Sequence, residues 1–134
     1  MSRTFASTVR FQDVDAAGIV FFARVFDLFH DAFVATLRDG GVRLEDVLRD
    51  RQWGAPLVHA EADYSKPLSF GDELVTEVTV VARGETSMTV RHVVRRRGVT
   101  CATGLTKHVF IDRETGRPRP VPEEVLAALG GVSA

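Results

Sequence analysis

Hydrophobic spacing along this chain changes once, from a helical period to an alternating one, and the change divides it into two parts. Between residues 21 and 37, a step of about 100° per residue gathers Val25, Phe26, Phe29, Phe33 and Leu37 on one broad face. Arg24, Asp27, Asp31 and Arg38 fall on a narrow opposite stripe, so the pattern predicts a long helix covered on most of its circumference. Gly40-Gly41 supplies the left-handed turn on which helices commonly end. Leu44, Val47 and Leu48 predict a shorter amphipathic helix ending near Gln52.

Strands flank this helical part. Residues 4–11 alternate, with Phe5, Ser7, Val9 and Phe11 on one side, and predict a first strand. After Pro56 the alternation persists through residues 57–64, 73–83, 86–96 and 99–111. In the first of these, Val58, Ala60, Ala62 and Tyr64 face one way and Leu57, His59, Glu61 and Asp63 the other. In the second, Leu74, Thr76, Val78 and Val80 form the core row. Tight links at Gly84-Glu85 and Arg97-Gly98 imply an antiparallel meander. Pro122 suits the first turn of a short closing helix carrying Val125, Leu126 and Leu129. The order is α+β, with a curved antiparallel sheet of four or five strands wrapped around one hydrophobic helix. Such a sheet leaves a long edge unpaired, which predicts a homodimer or a dimer of dimers.

Composition narrows the function classes. At 134 residues, 45% hydrophobic and 26% charged, the chain suits one domain spanning 1–134. A formal charge of -1 argues against nucleic acid as the partner, because binding it non-specifically requires a basic face. Arg24, Asp27, His30 and Asp31 interrupt the best candidate for a membrane span, so no membrane partner is expected. Cys101 is the only cysteine and no apolar leader opens the chain, which makes the cytoplasm the simplest location.

The candidate chemistry stands just before the long helix. Asp13 and Asp15 precede a helix start, where backbone amides lack intrahelical partners and the dipole is positive. An acid and an anion-stabilising helix end are therefore neighbours. The ordinary role for such residues is to cap the helix or bond loop amides. Two acids one residue apart, with no His or Cys cluster, make a weak ligand set, so no metal is expected.

The stretch Asp13-Val14-Asp15-Ala16-Ala17-Gly18-Ile19-Val20-Phe21-Phe22 resembles the hotdog-fold acyl-CoA thioesterases of the 4-hydroxybenzoyl-CoA thioesterase type. Their signature is close to D-x-D-x-A-G-[IV]-V, followed by an aromatic pair and a long helix. The similarity extends to His30-Asp31-Ala32, to residues 56–64 with Pro67 and Gly71-Asp72, and to Lys107-His108-Val109. Within that family the wording is most similar to the 1,4-dihydroxy-2-naphthoyl-CoA thioesterases of quinone biosynthesis.

The resemblance implies a hotdog fold and cofactor-independent hydrolysis of an aromatic acyl-CoA thioester. It implies Asp15 as nucleophile or general base and the Phe22 N–H as donor to the thioester carbonyl. Gly18, Ile19 and Val20 would lie along the substrate, and His30 would face the aromatic ring. His59 and Glu61 share a strand face that is ordinarily solvated, and in an oligomer they would line a partner's site. Phe21-Phe22 departs from the tyrosine or histidine often found in this pair, which removes a hydroxyl or imidazole from the mechanism. Coenzyme A carries phosphates, for which Arg and Lys are natural partners. Lys66, Arg83, Arg95 to Arg97, Lys107 and Arg113 lie near predicted strand ends, with Arg83 and Lys107 the candidates and Arg95 to Arg97 reading as a charged hairpin tip. The competing readings are a non-catalytic acyl-CoA-binding or regulatory module, and a hydratase, which requires an Asp-His pair that the spacing does not offer.

Overall fold

In the computed structural model, which describes residues 2–132, the chain opens with β1 (Arg3–Thr8) and a 3₁₀ turn at Phe11–Asp13. Helices α1 (Arg24–Asp39) and α2 (Leu44–Arg49) follow. Then come β2 (Trp53–Gly54), β3 (Leu57–Tyr64), β4 (Glu73–Arg83), β5 (Ser87–Arg96), β6 (Val99–Val109), β7 (Ile111–Asp112) and α3 (Glu123–Ala128). The expected 1–134 span runs outside the described residues at both ends. Five strands pair in the order β1-β4-β5-β6-β3, every neighbouring pair antiparallel, while β2 and β7 form a separate ribbon. One curved sheet with one long helix against its inner face is the expected α+β hotdog arrangement. Among the described residues, no helix is long and apolar enough to cross a membrane.

Period-two alternation sets the inner face. Leu74, Thr76, Val78 and Val80 of β4 form one buried row, and Met88, Val90, His92 and Val94 of β5 form the next. On β6, Ala102, Gly104, Thr106 and His108 continue the surface. Against it α1 buries Val25, Leu28, Phe29, Ala32, Phe33 and Leu37, and each fully buried large side chain of this kind contributes roughly 1.5–3 kcal/mol. Gly104 makes the close approach possible. A Cβ there would lie 2.7 Å from both the Glu61 carbonyl oxygen and Phe29 Cζ, so only glycine leaves room for the Phe29 ring at this point of the sheet.

Four boundaries differ from the sequence expectation, each for a traceable reason. The first strand stops at Thr8, and the Arg10–Asp13 ion pair closes a turn that throws Phe11 out to 75% exposure, edge-on against Phe70. Helix α1 begins at Arg24 instead of Phe21: residues 21–23 form a turn with bonds from Arg24, Val25 and Phe26 N–H to the carbonyls three residues back, and Phe21 N–H bonds the Asp13 carbonyl at 2.9 Å. A bulge between Leu57 and His59 turns Leu57 to the inner side, opposite His108, against the expected alternation. The last long strand breaks at Phe110, whose N–H pairs with Thr86, and its end becomes β7.

Candidate functional site

Asp15 heads a tight turn. Gly18 N–H donates to the Asp15 carbonyl and Asp15 N–H to the Ile19 carbonyl, both at 2.9 Å. Gly18 has φ +79°, a left-handed value that L side chains rarely adopt, and a Cβ there would meet nothing within 4 Å. Its role in the fold is therefore conformational. One carboxylate oxygen of Asp15, Oδ1, accepts from Ala17 N–H at 2.9 Å. The other accepts nothing among the described residues, and the side chain is solvent-exposed. Asp13 is different, being only 3% exposed and accepting hydrogen bonds from the Arg10 backbone and guanidinium at 2.9–3.3 Å. Burial alone would raise its carboxyl, but the Arg10 contacts outweigh that and hold it below the usual carboxylate range.

A groove of about 420 Å³ lies between this turn, the start of α1 and the end of β3, lined by Asp15, Ile19, Val20, Phe22, Tyr64 and Lys66 among others. No side chain caps α1. Phe21 N–H is taken by Asp13 and Arg24 N–H by Phe21. Phe22 N–H has no acceptor among the described residues, and it lies at the positive end of a 16-residue helix. Tyr64 Oη donates to the Phe22 carbonyl at 2.7 Å, fixing the same peptide segment from the sheet side. Behind the groove, Arg96 bonds the Pro67 carbonyl and Asp72 at 2.9 and 2.8 Å, and Ser69 N–H donates to Asp72. The Ser69 amide and Arg96 together lower the Asp72 carboxyl.

A second cavity, of about 370 Å³, opens along the flank of α1 and shares no lining residue with the groove. Phe26, Phe29, Phe33 and Leu57 give it apolar walls, with Asp27, His30, His92, Thr106 and His108 as its polar side chains. His92 stacks on Phe29 at 4.7 Å and His108 on Phe33 at 5.1 Å. Burial, then the neighbouring His108 and His30, push His92 down to about 3. Burial also lowers His108, against an opposing hydrogen bond to the Ala55 carbonyl.

A family model described as the thioesterase-like superfamily matches residues 9–129. The chain belongs to that superfamily. Among curated relatives of this thioesterase-like chain is the 1,4-dihydroxy-2-naphthoyl-CoA hydrolase of Nostoc punctiforme, 33% identical over 94% of this chain and 85% of the relative. The protein of the same name from Synechococcus elongatus is 34% identical over 90% of each chain. A 1,4-dihydroxy-2-naphthoyl-CoA thioesterase from Synechocystis superposes with a TM-score of 0.89 at 23% identity, covering 97% of this chain and 96% of that one. A gentisyl-coenzyme A thioesterase gives 0.84 at 25% identity, covering 92% of this chain and 98% of that one.

Of the residues predicted for the site of this thioesterase-like chain, Asp15, Phe22, Ile19 and Val20 line the groove, and Gly18 shapes its turn. His30 does not join them, lying instead at the second cavity and stacking on Phe33 at 6.5 Å. His59 and Glu61 bond each other at 3.0 Å on the opposite face of β3, away from both cavities. Neither Arg83 nor Lys107 lines the groove, where the basic side chain is Lys66. Arg95 and Arg96 pair with Glu77 and Asp72. Among the described residues, no three His, Cys, Asp or Glu side chains are placed to hold a metal ion. Sequence reasoning overlooked His92 and Thr106, although alternation puts His92 in one row with Met88, Val90 and Val94.

Proposed function

We propose that this chain hydrolyses an aromatic acyl-CoA thioester to the free acid and coenzyme A, without a cofactor. The observation that carries this reading is one groove lined by Asp15, one of whose carboxylate oxygens accepts no bond among the described residues, and by Phe22, whose N–H is unpaired among them. A thioester carbonyl seated there places its oxygen, which becomes negative on attack, at the positive end of α1. Asp15 either attacks the carbonyl carbon, expelling the CoA thiolate and leaving a mixed anhydride for water to cleave, or takes a proton from the attacking water. The names of the curated relatives support 1,4-dihydroxy-2-naphthoyl-CoA as the substrate. For the nucleotide, we assign Lys66 ahead of Arg83 and Lys107, because Lys66 lines the groove.

Comparing hydrolysis of 1,4-dihydroxy-2-naphthoyl-CoA, 4-hydroxybenzoyl-CoA and a medium-chain acyl-CoA, read by release of free thiol, tests the proposal. Turnover should be fastest with an aromatic substrate. Binding without turnover across all three would replace this reading with a non-catalytic acyl-CoA-binding module.

The β3 edge supports self-association. Nearly every residue of that strand is exposed, including Leu57, Val58 and Tyr64, and its outer backbone groups await a partner strand. We expect a homodimer or dimer of dimers, in which the groove beside β3 is bounded by a second copy. Light scattering should give a mass of at least twice the 14.7 kDa chain, and a monomer at micromolar concentration counts against the paired edge.

A further inference from the structure

The acid and the amide proposed to act together are carried on separately anchored segments. The acidic turn is tied to the connection after β3, where Ile19 bridges to Ser69 and Val20 N–H donates to the Leu68 carbonyl at 2.7 Å. The tip of α1 has a different anchor. In its turn, the carbonyls of Phe21, Phe22 and Ala23 accept from the N–H groups of Arg24, Val25 and Phe26 at 2.8, 3.3 and 3.2 Å. A trans peptide points its N–H opposite to its carbonyl. The Phe21 carbonyl, turned toward Arg24, therefore sends Phe22 N–H outward from the helix end. The next peptide has the longest of the three bonds, and its carbonyl is the one that takes the Tyr64 hydroxyl at 2.7 Å. Phe22 Cα joins these two peptides, so the Tyr64 bond acts on the residue that carries the free N–H. Tyr64 ends β3, and the residues directly after it, 65–68, form one wall of the groove.

From this geometry we infer that Tyr64 is a positioning residue for the hydrolysis: its hydroxyl, donating to the Phe22 carbonyl, holds the Phe22 N–H where the thioester oxygen becomes negative. The inference rests on the thioesterase reading above and names the side chain that sets its donor. A misplacement of about 1 Å at such a point is enough to cost about 10² in rate. The bond requires a neutral phenol. Once ionised, Tyr64 has no proton to donate and brings a negative charge toward the site of the developing oxyanion. Partial burial pushes the phenol above its ordinary value, which keeps the donor in place through neutral pH. The other titratable side chains lining the groove are Asp15 on the turn and Lys66 after β3, while α1 and β6 present Val25 and Ala102 there.

Two measurements test this role. Tyr64→Phe deletes the hydroxyl and keeps the ring, and because Tyr64 is exposed the lost bond should cost little stability. The variant should lower kcat on an aromatic acyl-CoA by about 10 to 10², with KM within about threefold of wild type and Tm nearly unchanged. The second measurement needs no substitution. Tyr64 is the chain's only tyrosine, so protein grown on 3,5-difluorotyrosine carries, at this position alone, a phenol that ionises much nearer neutral pH. Its kcat should match wild type while the phenol is protonated. It should then fall by about tenfold or more along the same pH curve as the phenolate absorbance, a curve that Asp15 and Lys66 do not follow. Tyr64→Phe grown in the same way takes up no fluorinated residue and should show no such fall. Wild-type kcat in Tyr64→Phe, or a kcat that stays level while the fluorinated phenol ionises, overturns the inference and leaves the thioesterase reading standing. Should Tyr64→Phe lose its fold, the fluorinated protein decides alone. A wild type that hydrolyses no thioester overturns the thioesterase reading first, and the inference with it.

Discussion

Asp15→Asn is expected to lower kcat on an aromatic acyl-CoA by roughly 10² to 10⁴, the range of a removed general base, with thermal stability nearly unchanged. The substitution isolates the charge because the turn does not depend on it. Asp15 Oδ1 accepts from Ala17 N–H, and an asparagine carbonyl oxygen makes the same local bond. The backbone bonds from Gly18 N–H and to the Ile19 carbonyl involve no side chain. What disappears is the negative charge of a carboxylate that lines the groove, and with it the proposed nucleophile or base. KM should change little, since the groove walls are intact. Full activity in this variant would exclude Asp15 from the chemistry. Loss of activity together with a large fall in Tm would show that the turn had collapsed, and the comparison would then pass to Asp15→Ser.

Acid should destabilise the fold steeply, beginning at a higher pH than carboxylates alone would dictate. An unfolded histidine takes up a proton below its ordinary value of about 6.5, whereas folded His92 stays neutral down to about 3. Between those limits the unfolded state binds more protons, so stability falls as pH falls, by up to roughly 1.4 kcal/mol per pH unit for one such proton. Above about 6.5 neither state binds it and the effect vanishes. His108 is lowered as well and acts in the same direction. Asp13 and Asp72, both held below the usual carboxylate range, add their share only at more acidic pH. Urea midpoints at pH 7.5 and pH 5 should therefore differ clearly in wild type and much less in His92→Phe. Equal wild-type midpoints at the two values would show that His92 is not held neutral in the folded protein.

Sequence alone reached the helix, the meander and the acidic turn, because each announces itself over consecutive residues. The period of α1 and the alternation of β4 to β6 are local patterns backed by side-chain volume, and long-range packing agrees with them. The start of α1 was not legible. Phe21 and Phe22 continue the helical apolar pattern, but their backbone groups bond the Asp13 carbonyl and the Tyr64 hydroxyl, 42 residues away, contacts that no local pattern reveals. Nor does alternation reveal an inserted residue, so the bulge that turns Leu57 inward was invisible. His30 was expected two turns into the helix, facing a substrate ring, and it lies on the flank of α1 at the second cavity. The contacts of His92 Nε2 and His108 Nε2 with Thr106 Oγ1 at 3.0 and 3.2 Å, and of His108 Nδ1 with the Ala55 carbonyl, join residues from separate strands and a loop. Only pairing of β5 with β6 brings Thr106 beside the His92 row.

The two hollows draw on wholly different side chains, one set around the acidic turn, the tip of α1 and the end of β3 with Ala102 of β6, the other along the flank of α1 with His92 of β5 and Thr106 and His108 of β6. A strand keeps its ladder bonds whatever side chain it carries, so positions 92, 106 and 108 can be exchanged during divergence without disturbing the acidic turn. In a lineage built on this scaffold, changes on the inner sheet rows and changes in the acidic turn can therefore accumulate independently of one another.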